Sequence, residues 1–415
     1  MLRLIHTADW HLGHTLHGVS RELEHRRFLR WLLDELEARE ADALLVAGDV
    51  FDSANPPAAA QSMLYRFLTD TRARMPGLDV VLVAGNHDSP ARLEAPAPLL
   101  DALGIRVVGA VSRDAQGQQQ SERLLVPLRG KGGEIEAWCA AVPFLRPADL
   151  PLLADFDGDR LIEGVRRVYG AVLEAMRRRR EPKQALIALG HCYMVGTRLS
   201  ELSERRILGG NQHALPLDIL PDDLAYGALG HLHLAQSVGG SGRVRYSGSP
   251  LPLALDERNY PHQLVQVELE EGGLLGTEAV RVPRSVEILR VPERDAATPE
   301  ELERLLAELP AESDRGLEEQ PYLEVAVRLE RPEPGLRQRV ESWVAGKPVR
   351  LLKITPHYPG TGAGLGEAVP QTRLEELQPG RVFAERYRQQ YADEPPPDLA
   401  AAFHQLLEAL QGSRS

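Results

Sequence analysis

Four apolar runs in this chain break off at a glycine and pass straight into polar residues. They are ALLVAGDVFD (43–52), DVVLVAGNHD (79–88), ALIALGHCY (185–193) and AYGALGHLH (225–233). A short continuous run of Ala, Val, Leu and Ile reads as a strand buried on both faces. Such a strand needs cover above and below, so the chain must build layers. Amphipathic stretches at Glu22–Leu36 and Ala58–Thr71 have helical spacing and supply some of that cover. Strands that alternate with helices predict an α/β domain. In such folds, functional groups gather outside the carboxyl ends of the strands. The polar residues of all four runs fall at that edge.

The length of 415 residues exceeds one ordinary core and predicts two or three domains. Hydrophobic residues make up 43% and charged residues 26%, as in a soluble globular protein. No apolar run approaches the ~20 residues that span a bilayer. Met1–Ile5 leads directly into a motif, which predicts no signal peptide. Two cysteines, Cys139 and Cys192, make no disulfide framework and fit a reducing, cytoplasmic setting. Cys192 reads as a small apolar side chain. The formal net charge of −12 argues against non-specific coating of nucleic acid. It leaves room for an enzyme of nucleic acid if metal ions or a basic partner supply local positive charge.

The texture changes after Val282. The pattern then predicts a strand at Val286–Val291, a helix at Pro299–Leu309, a strand at Tyr322–Leu329, a helix at Pro334–Val344 and a strand at Val349–Ile354. This small α+β unit carries no cluster of His, Asp or Asn at its strand ends. PHYPGTGAGLGEAVPQ (356–371) follows as a Gly/Pro-rich linker. Two helical segments close the chain at Leu374–Tyr391 and Asp398–Leu410, with Leu399, Phe403, Leu406, Leu407 and Leu410 on one face of the second. The expected domains are therefore 1–282, 283–356, a linker at 357–372 and a helical tail at 373–415. RDAQGQQQS (113–121) reads as a solvated loop, and RRRR (177–180) as a solvated helix face.

The strand-end residues form a set. Asp9 and His11 lie in TADWHLG, Asp49 in GDVFD, Asn86, His87 and Asp88 in GNHD, His191 in GHCY, and His231 and His233 in GHLH. In extended backbone, residues i and i+2 point the same way, so Asp9 with His11 and His231 with His233 are each expected to act as a two-pronged clamp. The donors are imidazole, carboxylate and one amide oxygen, without thiolate. That set suits Mn²⁺, Fe²⁺, Zn²⁺ or Mg²⁺ chemistry rather than a structural zinc. Seven candidate ligands are too many for one ion. They divide over two metals about 3.5–4 Å apart with one carboxylate, Asp49, as the bridge. Such a pair clamps a phosphoryl group and acidifies a water. Each motif alone has a plainer explanation, since GDVFD or GNHD is by itself a turn and a lone GH a strand end. Their recurrence at strand ends is what carries the argument. His6, His14, His17, His25, His213, His262, His357 and His404 lack that context and read as structural or surface residues, with His14 and His17 nearest the expected site.

The order D-x-H, G-D-x-x-D, G-N-H-D, G-H, G-H-x-H resembles the calcineurin-like metallophosphoesterase superfamily. Within it, DWHLG (9–13), SRELEH (20–25), GDVFDSANPP (48–57), GNHDSPARL (85–93) and YSGSPLPLALDE (246–257) resemble the SbcD nucleases. These are bacterial counterparts of the eukaryotic double-strand-break repair nuclease. The family more often has an aromatic near Ala254 and Glu near Asp256, a departure that touches no expected ligand.

The resemblance implies a four-layer β-sandwich flanked by helices, then a capping domain and C-terminal helices. It implies Asp9, His11, Asp49 and His233 on one metal, and Asp49, Asn86, His191 and His231 on the second. His87 would orient or protonate near the leaving oxygen, with Asp88 tuning its charge. Two Mn²⁺ ions are the implied cofactors. DNA and an SbcC-type ATPase docked on the tail helices are the implied partners, in a heterotetramer built on a homodimer. The implied reaction is hydrolysis of DNA phosphodiester bonds, as a 3′–5′ double-strand exonuclease and a single-strand and hairpin endonuclease. A phosphoesterase of nucleotides or phosphoproteins is the alternative, and a scaffold without catalysis is a third reading.

Overall fold

A computed structural model describes residues 1–151, 153, 156, 158–198, 214–240, 242–358, 387–388 and 396. In chain order its main elements begin with β1 (Leu2–Thr7), α1 (Glu22–Ala38), β2 (Ala43–Ala47), α2 (Ala58–Arg74), β3 (Asp79–Val83) and β4 (Ile105–Val108). β5 (Leu125–Arg129), β6 (Ile135–Val142), α3 (Arg160–Arg179), β7 (Ala185–His191), β8 (Tyr226–Gly230), β9 (Gln236–Val238) and β10 (Val244–Tyr246) follow. Next come β11 (Gln263–Glu270), β12 (Gly273–Arg281), β13 (Ile288–Val291), α4 (Pro299–Ala307), β14 (Tyr322–Arg328), α5 (Leu336–Trp343) and β15 (Arg350–His357).

Two six-stranded sheets result, ordered β12-β11-β1-β2-β3-β4 and β9-β10-β8-β7-β6-β5. The inner strands β1 to β4 run parallel to one another, as do β6, β7, β8 and β10. Alternation along the first sheet explains the layering. Leu2, Leu4, Ala43, Leu45, Ala47, Val81 and Val83 join one core with the second sheet and helix α3. Their neighbours Ile5, Leu44, Val46, Val80 and Leu82 join another core with α1 and α2. A strand of period two that is apolar on both faces can only be satisfied this way. Each fully buried Leu, Ile or Val contributes roughly 1.5–3 kcal/mol. The fold is thus helices, sheet, sheet, helix, the expected mixed α/β sandwich.

Beyond β12, strands β13, β14 and β15 form a separate three-stranded sheet. The elements expected there are present, with ends shifted by a few residues. Val286, Ile288, Tyr322 and Leu352 pack with Leu16 and Leu255 in their own cluster. The chain comprises two compact units, 1–327 with 334–356, and 328–333 with 357–415. The expected linker lies outside the described residues apart from its first positions. The tail helices, His213 and His404 also lie outside them, save for isolated tail positions.

RRRR (177–180) closes α3, and its charges are matched locally. Arg177 pairs with Asp223, Arg178 with Glu174 and Arg179 with Glu122, while Arg180 donates to the Gln184 carbonyl. Burial pushes the thiols of Cys139 and Cys192 up to about 12, so both stay protonated apolar side chains. Among the described residues, no helix is long and apolar enough to cross a membrane.

Candidate metal centre

The loops after β1 and β2 leave the first sheet side by side. Asp9 N donates to Gly48 O at 3.0 Å, His11 N to Asp49 O at 3.0 Å and Leu12 N to Val50 O at 2.9 Å. The second sheet closes on them from across the sandwich. A Cβ on Gly230 would stand 1.9 Å from Ala47 O and 2.8 Å from Ala8 Cβ, so only glycine allows this approach. His231 N then donates to both Asp9 carboxylate oxygens, at 3.0 and 3.2 Å. His191 Nδ1 lies 2.8 Å from Ala47 O, which fixes its proton on Nδ1 and turns Nε2 inward.

The extended geometry expected for the paired ligands is not what the backbone adopts. Asp9 (φ 54°), His11 (φ 46°), Asp49 (φ 48°) and His231 (φ 111°) are left-handed. These four stand among nine non-glycine residues of positive φ in the described chain. Each such residue costs of order 1–3 kcal/mol, and strain of this kind collects at functional sites. Asp9 and His11 share a side because Trp10 is anchored away from them. Its ring is fully buried edge-on to Phe28 and Phe67, and its Nε1 donates to Thr7 Oγ1 at 2.9 Å.

The side chains meet around Asp49. Its Oδ2 stands 3.6 Å from His11 Nε2 and 3.5 Å from His191 Nε2. Its Oδ1 accepts from His87 N at 2.8 Å. On one side, Asp9, His11 and His233 bring ligand atoms within 4.8 Å of one another; Asp9, Asp49 and His191 do the same and join that side to the next. On the other side, Asn86 Oδ1 lies 2.9 Å from His191 Nε2 and 3.0 Å from His231 Nδ1. All seven expected ligands and His87 therefore line one place.

The donors fit divalent metal. His11 Nε2 is buried and has no hydrogen-bond partner, an arrangement that an ion would complete. Asp9 and Asp49 are two buried carboxylates, a costly pair without cations nearby. Burial raises the Asp9 carboxyl, and the neighbouring Asp49 charge adds to that rise against the pull of the histidines. Burial opposes a charge on His191, yet the Asp49 carboxylate overrides it and raises the imidazole to about 9. Burial, with the charge of His191, lowers His231 to about 3. Two adjoining donor sets at the strand ends of paired sheets point to a two-metal centre.

Residues 2–235 match the model of the calcineurin-like phosphoesterases. The chain belongs to that family, in its SbcD branch. Residues 283–391 match a second model, the type 5 capsule protein repressor C-terminal domain. The chain is 41% identical to the SbcD component of the SbcCD nuclease of Rhodobacter capsulatus, over 92% of this chain and 94% of the relative. It is 30% identical to the same component in Escherichia coli K12, over 95% and 94%. With its Bacillus subtilis counterpart it shares 34% identity over 65% and 67%.

In this phosphoesterase, Asp88 does not meet the His87 ring as expected. Its buried carboxylate accepts from Val50 N (3.1 Å), Phe51 N (2.9 Å) and Gly85 N (2.9 Å), and so ties the Asp49 loop to the Asn86 loop. Burial, then the Asp49 charge, raises it to about 6. His87 Nδ1 instead donates to the Asp52 carbonyl at 2.8 Å, and its ring meets His11 edge-on at 4.7 Å. Burial lowers its pKa.

Three residues beyond the sequence-derived set support the centre. Asp52 Oδ1 lies 3.2 Å from His11 Nδ1, and Glu257 Oε1 lies 2.8 Å from His233 Nδ1. Arg146 donates to Asp88 O at 2.9 Å and Gly85 O at 3.3 Å. Asp52 is visible in sequence as the second acid of GDVFD. Glu257 gives one faint signal, an acid closing the apolar stretch LPLAL. Arg146 gives none. His14 borders the site with a buried Nδ1 that lacks a partner, and burial lowers it to about 3. His17 is exposed.

Proposed function

We propose that this chain is the catalytic component of a DNA double-strand-break repair nuclease that hydrolyses phosphodiester bonds with two metal ions. The observation that carries the reading is Asp49, set between His11 and His191 so that one carboxylate serves two donor sets. The relatives, named as parts of the SbcCD nuclease, supply the substrate class. Asp9, His11, Asp49 and His233 would hold one ion, and Asp49, Asn86, His191 and His231 the other. Mn²⁺ suits this mixture of imidazole, carboxylate and amide oxygen. When bound, the ions supply Lewis-acid polarisation of a phosphoryl oxygen and a water of lowered pKa.

The chain's own groups do the rest. His87, half-buried at the rim and fixed through Nδ1 on the Asp52 carbonyl, presents Nε2 to the leaving or non-bridging oxygen. Asp88 positions the Asp49 and Asn86 loops against each other rather than reacting. Arg146, tied to those loops, adds positive charge beside them. The activities assigned are 3′–5′ exonuclease on duplex DNA and endonuclease on single strands and hairpins. Residues 283–356 act as a capping domain, and the tail at 373–415 docks an SbcC-type ATPase in a cytoplasmic heterotetramer built on a homodimer. That partner offsets the net charge of −12, which is unfavourable for DNA.

The test is digestion of end-labelled duplex and hairpin DNA with Mn²⁺, the ATPase partner and ATP. His87→Ala is expected to lower cleavage by about 10²–10⁴-fold, the range for a lost general acid or base. Undiminished cleavage by that variant removes His87 from the reaction. A parent chain that prefers nucleotide monoesters overturns the DNA reading.

A further inference from the structure

The two halves of the centre are backed differently. On the Asp9 side, both imidazoles donate their far nitrogen to a carboxylate: His11 Nδ1 to Asp52 Oδ1 at 3.2 Å, and His233 Nδ1 to Glu257 Oε1 at 2.8 Å. Glu257 is itself locked in place. It is fully buried in the turn Leu255–Asn259, its Oε2 accepts from Leu253 N at 2.7 Å, and its carbonyl lies 3.1 Å from His262 Nε2. On the Asn86 side, His191 Nδ1 donates to a neutral carbonyl, Ala47 O, at 2.8 Å. The Nδ1 of His231 lies 3.0 Å from Asn86 Oδ1, its fellow donor atom, and so faces into the centre rather than toward an outer carboxylate. The carboxylates divide accordingly. Asp52 and Glu257 back the histidines of one side only, Asn86 supplies a neutral oxygen on the other, and Asp49 and Asp9 lie within reach of both.

An imidazole whose second nitrogen donates to a carboxylate is a stronger and better-oriented ligand, and loss of such an outer partner typically costs about 10–100-fold in metal affinity. Added negative charge near a divalent ion works in the same direction.

Resting on the two-metal reading above, we infer that Glu257 and Asp52 are positioning residues that make the two metal positions unequal. The position of Asp9, His11 and His233 fills first and more tightly; the position of Asn86, His191 and His231 fills second and exchanges more readily. Neither Glu257 nor Asp52 contacts the substrate through its carboxylate in this role. Each acts through the histidine it orients.

The experiment is a titration of the metal-free full chain with Mn²⁺ and no DNA, followed by the electron paramagnetic resonance signal of the free ion. The parent is expected to bind in two distinct steps. Glu257→Gln and Asp52→Asn are each expected to weaken the tighter step by about 10–100-fold and to leave the weaker step in place. The two variants lie on separate loops, so a folding defect in one, read from its thermal melt, leaves the other to decide. Two equal steps in the parent, a shift confined to the weaker step, or unchanged binding in a folded variant overturns the inference. A parent that binds in unequal steps but cuts no DNA overturns the proposed reaction instead and leaves the inequality standing.

Discussion

Strand β2 of the two-sheet body and strand β14 of the three-stranded unit are built alike. Both are buried almost throughout and both run parallel to a neighbour. They differ in how they end. β2 stops at Gly48 (φ 87°), turns left-handed through Asp49, and meets His191 and His231 arriving from the opposite sheet. β14 runs out at exposed Arg328. Strand-end polar residues become a reactive site only where a second sheet brings its own strand ends close enough to share ligands. The three-stranded unit packs through β13 against α4, which pairs with α5, and through its core residues against Leu16 and Leu255, and gathers no such set among the described residues.

This contrast can be broken at its tightest point. Gly230→Ala places a methyl against Ala47 O, and the sheets must part to admit it. The variant is expected to lose about 3 kcal/mol of unfolding free energy in urea, the upper range for overpacking, together with its Mn²⁺ binding. A variant of parental stability and affinity would mean that the close approach is not what assembles the site.

A smaller effect follows from pH. Below about 9, His191 carries a proton on Nε2 that an incoming ion must displace. Mn²⁺ affinity is therefore expected to rise by about tenfold per pH unit as pH climbs toward that value, and then to level off. In the metal-free chain the sign reverses. The raised pKa stabilises the fold fully below 6.5, and that contribution is lost as pH rises through about 9. Affinity flat between about pH 6 and 8 would contradict this.

The smallest effect belongs to the three-stranded unit. Tyr322 OH donates to Glu24 Oε1 at 2.8 Å, and Glu24 is paired with the buried Arg21. Tyr322→Phe is expected to cost about 1 kcal/mol, since Glu24 keeps its arginine. Mn²⁺ binding should stay at the parental level. A change in metal affinity would show that the two regions are coupled.

Much of this is legible in the sequence. The spacing of Leu29, Leu32, Leu33 and Leu36 marks α1, and the strands between Ala43 and Gly230 announce themselves as apolar runs closed by glycine. The residues at those closures do come together. The pairing of ligands has a different cause from the one periodicity suggests, because Asp9, His11 and His231 turn left-handed where extended backbone is the default expectation. Asp88 also places its carboxylate differently from the expectation. Its adjacency to His87 in sequence suggests contact, whereas its carboxylate is taken by three backbone N–H groups. Glu257 escapes a pattern search because it lies 24 positions from His233 and belongs to no strand end.

The sequence by itself determined which residues are apolar at which period, and so which strands are buried, where they stop and what chemistry stands at each stop. Local pattern suffices there because burial and periodicity are properties of neighbouring residues. Only the tertiary structure decided that Asp49 lies between His11 and His191, that Glu257 backs His233, and that the Asp88 carboxylate ties two loops together rather than facing the His87 ring. Those facts depend on distances of a few ångströms between segments far apart in the chain. Such distances are set by how two sheets pack, through contacts such as that of Gly230 with Ala47, and no local pattern encodes them.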